Sequence, residues 1–171
     1  MSTITIEKTS ITKLHTDAIV NAANEGLWEG GGVCGAIFRE AGSAQLTEAC
    51  DKIGSCKTGN AVITPGFNLP AKYIIHAVGP VWHGGDDGEP ELLYSAYKHS
   101  LLLAKENGCH SIGFPLISAG IYGYPADLAW ERALRACMDF AALDEYDLNI
   151  VFAVLDDRML ELGKEIHKKL T

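Results

Sequence analysis

The hydrophobic and polar positions of this chain change period several times. "TITIEK" (3–8) alternates apolar and polar residues, the pattern of a strand with one covered face. "DAIVN" (17–21) is short, apolar and β-branched and predicts a buried strand ending at Asn21. "NAVITP" (60–65) and "KYIIHAVGP" (72–80) predict two more strands, each stopped by proline or Gly-Pro. "SIGFP" (111–115) reads as a short buried strand, and "LNIVFAVL" (148–155), almost without polar residues, as one covered on both faces. Helical spacing fills the intervals. Val33, Ala36, Ile37 and Ala41 recur in "VCGAIFREAG", which stops at Gly42. Ser43 is expected to cap the next helix, "AQLTEACDKI", closed by Gly54. A longer helix opens near Pro90, buries Leu93, Ala96, Tyr97, Ser100, Leu101 and Ala104, and ends at Gly108. "ADLAWERALRACMDFAAL" (126–143) sets Trp130, Leu134, Cys137 and Ala141 on one face. "DDRMLELGKEIHKKL" (156–170) begins acidic and ends basic, as the helix dipole favours. Strands alternate with helices, so the predicted class is α/β, a largely parallel sheet with helices on both sides. No repeat or linker interrupts it, and one domain over 1–171 is expected.

Charge narrows the partners. A net charge of −8 without any Lys/Arg cluster argues against a protein that grips DNA through its phosphates. An anionic ligand stays open, because backbone N–H groups bind phosphate without basic side chains. The five cysteines are scattered with no C-x-x-C pair, which suggests reduced thiols in a cytoplasm. The histidines never approach one another, or a cysteine, at metal-ligand spacing, so no metal and no cofactor are expected. There is no signal-peptide pattern and no apolar run of bilayer-crossing length, so no membrane partner is expected.

The stretch "IVNAANEGLWEGGGVCGAIFREAG" (19–42) contains G-x-G-x-x-G at Gly30, Gly32 and Gly35. A dinucleotide-binding turn follows its strand directly, with an acidic residue about 20 positions on at the end of a second strand. Here the eight residues Ala22 to Glu29 intervene, and the nearest acid, Asp51, falls inside a predicted helix. The Rossmann reading fails on context. The segment instead resembles the macrodomain family, in which a strand ends V-N-A-A-N, a glycine loop follows at this distance, and a helix begins at G-V-x-G. "TGNAVIT" (58–64), "YIIHAVGP" (73–80) and "FPLISAGIYGYP" (114–125) agree in order and spacing. The resemblance covers nearly the whole chain. It implies a three-layer α/β/α sandwich with a mixed, largely parallel central sheet, binding ADP-ribose above the strand ends.

The residue chemistry suits that ligand. The loops 30–35 and 118–123 follow buried strands and lead into helices, so their N–H groups and both helix N-termini are expected to hold a diphosphate. Gly30, Gly31, Gly32 and Val33 form one wall, and Ser118, Ala119, Gly120, Ile121 and Tyr122 the other. By resemblance, Asn24 orients the distal ribose and Tyr122 closes over it; the alternative for Asn24 is an Asx-turn leaving the strand. Asn21, Tyr124, His76, Trp82 and Trp130 are expected to be structural.

Four positions depart from the family pattern. Cys34 stands where the hydrolytic MacroD-type branch carries an acid, and Phe38 where that branch usually has His. Cys34 is a weak catalytic candidate, with packing the favoured role. Ser10-Ile11 replaces the usual Asp-Ile at the adenine end, and a serine accepts from the adenine amino group without charge assistance. Leu155 replaces an aromatic that stacks on adenine, leaving Asp156 beside it as a possible reader of the base. Three functions follow for comparison. The favoured one is an enzyme releasing ADP-ribose from modified protein, or cleaving O-acetyl-ADP-ribose, by water that the substrate's own phosphate activates. The others are a non-catalytic ADP-ribose reader, and a binder of another nucleotide or of poly(A) RNA, with RNA the less favoured partner.

Overall fold

The computed structural model describes residues 1–171. Strands β1 (Thr3–Lys8), β2 (Ala18–Ala22), β3 (Ala61–Pro65), β4 (Tyr73–Ala77), β5 (Ser111–Phe114) and β6 (Asn149–Val154) form one sheet. Their order is β1-β6-β5-β2-β4-β3. Every neighbouring pair is parallel except β3 and β4. Five helices complete the chain: α1 (Gly32–Ala41), α2 (Ser43–Ile53), α3 (Glu89–Glu106), α4 (Ala126–Leu143) and α5 (Asp157–Leu170). The sandwich with a mixed, largely parallel sheet is therefore the observed architecture.

Strand alternation sorts side chains into two cores. Ala18 and Val20 of β2, with Ile75 and Ala77 of β4, enter a core shared with α3 and α4. Ile19 and Ile74, one residue out of phase, enter the opposite core with Ile37 and Phe38 of α1 and Leu46 of α2. The α3/α4 side is the larger and is filled by aromatic rings. Phe152 lies 5.5 Å from Phe114 and 5.2 Å from Trp130, centroid to centroid. The stripe predicted for α3 is wholly buried, and Trp130, Leu134 and Cys137 of α4 are too, with Ala141 only half-buried.

Two local expectations are corrected. Ser43 does not cap α2: the helix starts at Ser43 itself, behind Gly42, which adopts φ 110 and lends no side-chain bond. A short 3₁₀ turn at Ile11–Lys13, unpredicted from the pattern, closes the exit from β1 and buries Ile11. The five parallel strands all end at the same edge of the sheet. The loops after them must converge there, which is where open α/β sheets bind ligands.

Candidate functional site

A cleft of about 650 Å³ lies along that edge. Thr9–Ile11 follow β1, Ala22–Asn24 follow β2, and Gly79 follows β4. Pro115–Tyr122 follow β5, and Val154–Asp156 end β6 and run on into α5. Gly30 to Cys34, at the start of α1, form the facing wall. All the residues singled out from the sequence as ligand contacts line this one space, together with Cys34. Sequence reasoning missed Thr9, Ala22, Ala23, Gly79, Ile117 and Met159 among the lining residues. Most are small or apolar and carry no chemical signal, although the Gly79-Pro80 stop after a strand was a hint. A second depression, about 530 Å³, lies between α2 and β3 and shares no lining residue with the cleft.

The wall at α1 is built for close backbone approach. Gly31 is the N-cap and offers no side-chain bond, and the first helical N–H groups have no acceptor in the preceding turn. Gly32 has φ 57, a conformation that demands glycine. Gly35 is required for another reason: a Cβ there would stand 2.6 Å from the Gly30 carbonyl oxygen. On the opposite wall, the loop ties itself down through Tyr124 N–H to Ser118 O (2.9 Å) and Gly123 N–H to Gly120 O (3.0 Å). The N–H groups of Gly120, Ile121 and Tyr122 donate to nothing within the protein. One expectation fails here. No residue of α4 lines the cleft; the helix N-termini that reach it are those of α1, at Gly31 to Cys34, and of α5, at Asp156 and Met159, while the second loop offers its own amides.

Ser118 is the most unusual residue of the site. Its φ of 68 lies in the left-handed region, and its hydroxyl is buried (residue 7% exposed) without a hydrogen-bond partner. Both features cost free energy and recur at ligand sites. Gly79 makes room for it, because a Cβ there would come within 2.2 Å of Ser118 Oγ.

Asn24 lines the cleft and is also engaged within its own loop. Its Oδ1 accepts from Trp28 N–H (2.9 Å) and its Nδ2 donates to Trp28 O (3.1 Å). The carboxamide thus clamps the loop as the Asx-turn alternative anticipated, while still lining the cleft with one N–H and one lone pair uncommitted. The loop it clamps holds buried Leu27 at φ 58, a second strained residue beside the site. Cys34 is buried and wired into the same loop. Its Sγ accepts from Gly30 N–H (3.4 Å), and its S–H donates to Trp28 O (3.6 Å). That arrangement agrees with packing rather than nucleophilic chemistry.

At the other end, Ser10 Oγ is hydrogen-bonded to Thr12 Oγ1 (2.9 Å) and Leu155 is 68% exposed. Asp156 is the N-cap of α5, one carboxylate oxygen accepting from Met159 N–H (2.8 Å), and the other oxygen is uncommitted. Tyr122 is half-buried, and desolvation, followed by the negative charge of Glu25, pushes its hydroxyl pKa up. It enters as a neutral phenol.

The residues expected to be structural lie outside the cleft lining. His76 is fully buried on β4, directly across from Asn21 of β2. Its Nδ1 accepts from Asn21 Nδ2 (3.1 Å) and its Nε2 donates to Thr64 Oγ1 (3.0 Å). Burial lowers its pKa to about 4, so the ring is neutral. Tyr124 packs on Trp82 with ring centroids 4.6 Å apart, and Trp130 is wholly buried. No His, Cys, Asp and Glu side chains gather in threes to hold a metal. No helix is long and apolar enough to cross a membrane.

Known proteins share both the sequence and this architecture. The Macro domain family model matches residues 20–133. A macro domain-containing protein of Chlorobaculum tepidum is 51% identical over 155 residues, covering 91% of this chain and 90% of its own. A Salmonella newport protein named O-acetyl-ADP-ribose deacetylase is also 51% identical, over 89% of this chain and 87% of its own. Among solved structures, the Oceanobacillus iheyensis macrodomain with ADP superposes with a TM-score of 0.92 at 38% identity, covering 96% of this chain and 90% of that one. The Trypanosoma brucei macrodomain in complex with ADP-ribose gives 0.86 at 37% identity, over 95% and 68%.

Proposed function

Because the chain belongs to the Macro domain family, we propose that it binds ADP-ribose as a single domain, residues 1–171, and hydrolyses a bond at or near the anomeric carbon of the distal ribose. The observation that carries this reading is the pair of facing loops. Uncommitted amides at the start of α1 and at Gly120–Tyr122, with the unpartnered Ser118 hydroxyl, converge on one cleft in an acidic protein without a basic cluster. Such a site suits a diphosphate. Adenine would lie between Ser10–Ile11 and Leu155–Asp156, and the distal ribose under Asn24 and Tyr122. The substrate is either an ADP-ribosylated protein or O-acetyl-ADP-ribose, the compound in the Salmonella relative's name. The free thiols fit a reducing compartment such as the cytoplasm.

The lining side chains that ionise are Cys34, Tyr122 and Asp156. Cys34 is engaged by loop backbone, Tyr122 is a neutral phenol, and Asp156 caps a helix at the opposite end. Water is therefore activated by the substrate's phosphate, and the protein contributes position: the ribose oriented, the diphosphate fixed. Calorimetry with ADP-ribose and AMP, then turnover on a mono-ADP-ribosylated protein and on O-acetyl-ADP-ribose, tests this. Tight binding of ADP-ribose over AMP with turnover of either substrate is expected. Equal affinity for the two nucleotides would remove the two-loop model. Binding without turnover would leave an ADP-ribose reader, the reading that Cys34 in the acid's place favours.

A further inference from the structure

The segment 82–90 reads as a plain polar loop in the sequence, yet it is organised around a buried carboxylate. Glu89 opens α3 and is 1% exposed. Its Oε2 accepts from His83 N–H (2.8 Å) and Gly85 N–H (3.0 Å), and its Oε1 from Asp87 N–H (2.7 Å). Desolvation alone would raise its pKa; the N–H donors of Gly85, His83, Glu89 itself and Asp87 overcome that and hold it down to about 2. The three neighbouring amides thus wrap one permanent negative charge.

The wrapped loop leans on the site. Gly85 (φ 93) lies so close to the Trp82 indole that a Cβ would stand 2.9 Å from it. The Trp82 ring packs against Tyr124, and Trp82 N–H donates to Tyr122 O at 2.9 Å. Glu89 itself does not line the cleft. We propose that Glu89 is a positioning residue for the second diphosphate-holding loop, acting through Gly85 and Trp82 to fix the Tyr122 peptide while touching no ligand. This rests on the ADP-ribose reading above.

The test uses the full chain and free ADP-ribose. Glu89→Gln replaces an acceptor oxygen with an NH₂ group facing N–H donors, so the dissociation constant should rise about tenfold or more, with Glu89→Asp recovering part of the loss. Hydrogen exchange at the Trp82 amide should accelerate, while exchange in α1 stays at the parent rate. Gly163→Ala is the stability control, since its Cβ would press within 2.7 Å of the Trp130 ring without involving any cleft residue. It should lower the melting temperature and leave the dissociation constant unchanged. Should Glu89→Gln fail to fold, Trp82→Leu keeps the N–H donor and removes the ring that Gly85 packs on, and should weaken binding severalfold. A folded Glu89→Gln or Trp82→Leu protein with parent affinity would overturn the proposal. A parent that binds no ADP-ribose would instead remove the functional reading, and the Trp82 amide exchange would still decide whether Glu89 orders the loop.

Discussion

Acid should destabilise this protein through His76 before it reaches most carboxylates. The unfolded imidazole titrates near 6.5, whereas in the fold burial lowers its pKa to about 4. A depressed folded value means the contribution to stability is complete above pH 6.5 and is lost as the pH falls toward 4. Integrating between those limits, the native state loses about 2 kcal/mol at pH 5 and about 3 kcal/mol at pH 4 relative to neutrality. Against a typical domain stability of roughly 5–15 kcal/mol, that is a substantial fraction. The geometry gives the cause. His76 Nδ1 accepts from the Asn21 amide, so protonating it sets two N–H groups against each other in a site closed to water. Urea unfolding at pH 7 and pH 5, on the parent and on His76→Gln, isolates the effect, because every other titrating group cancels in the comparison. The parent should lose about 2 kcal/mol more than the variant over that interval. Equal losses, or a ring that titrates near 6.5 by NMR, would refute the assignment of a neutral buried histidine.

Three further outcomes follow from the cleft. Gly120→Glu places bulk and charge where a Cβ meets no protein atom within 4 Å and where φ is not positive, so the fold should survive while ADP-ribose affinity, read by calorimetry, falls about 100-fold or more. Gly32→Glu is the poorer test, because φ 57 would strain any side chain. Gly79→Ala should cost about 1–3 kcal/mol in denaturant unfolding and also weaken ADP-ribose, since its methyl displaces Ser118. Cys34→Ala should keep most turnover, whereas Asn24→Ala should lose nearly all of it, because that change frees both backbone groups of Trp28 and removes the proposed ribose contact; a Cys34→Ala protein that binds normally yet turns over nothing would place chemistry on the thiol.

The legible parts of this molecule are those governed by local period. Strand alternation at Ala18, Ile19 and Val20, and helical spacing in α3, are repeated consequences of facing one core or two, so each residue restates its neighbours' message. The glycine loops were legible as cleft walls as well, since a backbone that must be approached closely leaves a compositional trace. What escaped depends on pairs remote in sequence or on one side chain's choice among polar partners. Nothing near Gly79 announces that Ser118 will need its missing Cβ, and nothing in "GGDDGEP" distinguishes Glu89, which is buried, from Asp86 and Asp87, which are exposed. Asn24 was read for its chemistry toward a ligand, but a carboxamide has enough donors and acceptors to clamp Trp28 and still face the cleft. These concealed pairings share a purpose. Leu27 and Ser118 hold left-handed conformations that an isolated loop would abandon, and each lies in a segment pinned from outside: one by Asn24 and Cys34 on Trp28, the other by Trp82 on Tyr122. Strain survives only where surrounding bonds over-determine the backbone. Of the three non-glycine residues with positive φ, Ser118 lines the cleft, Leu27 lies in the loop leading to its α1 wall, and Phe67 lies away from it; the distant contacts that hold the first two are the ones a one-dimensional pattern carries least of.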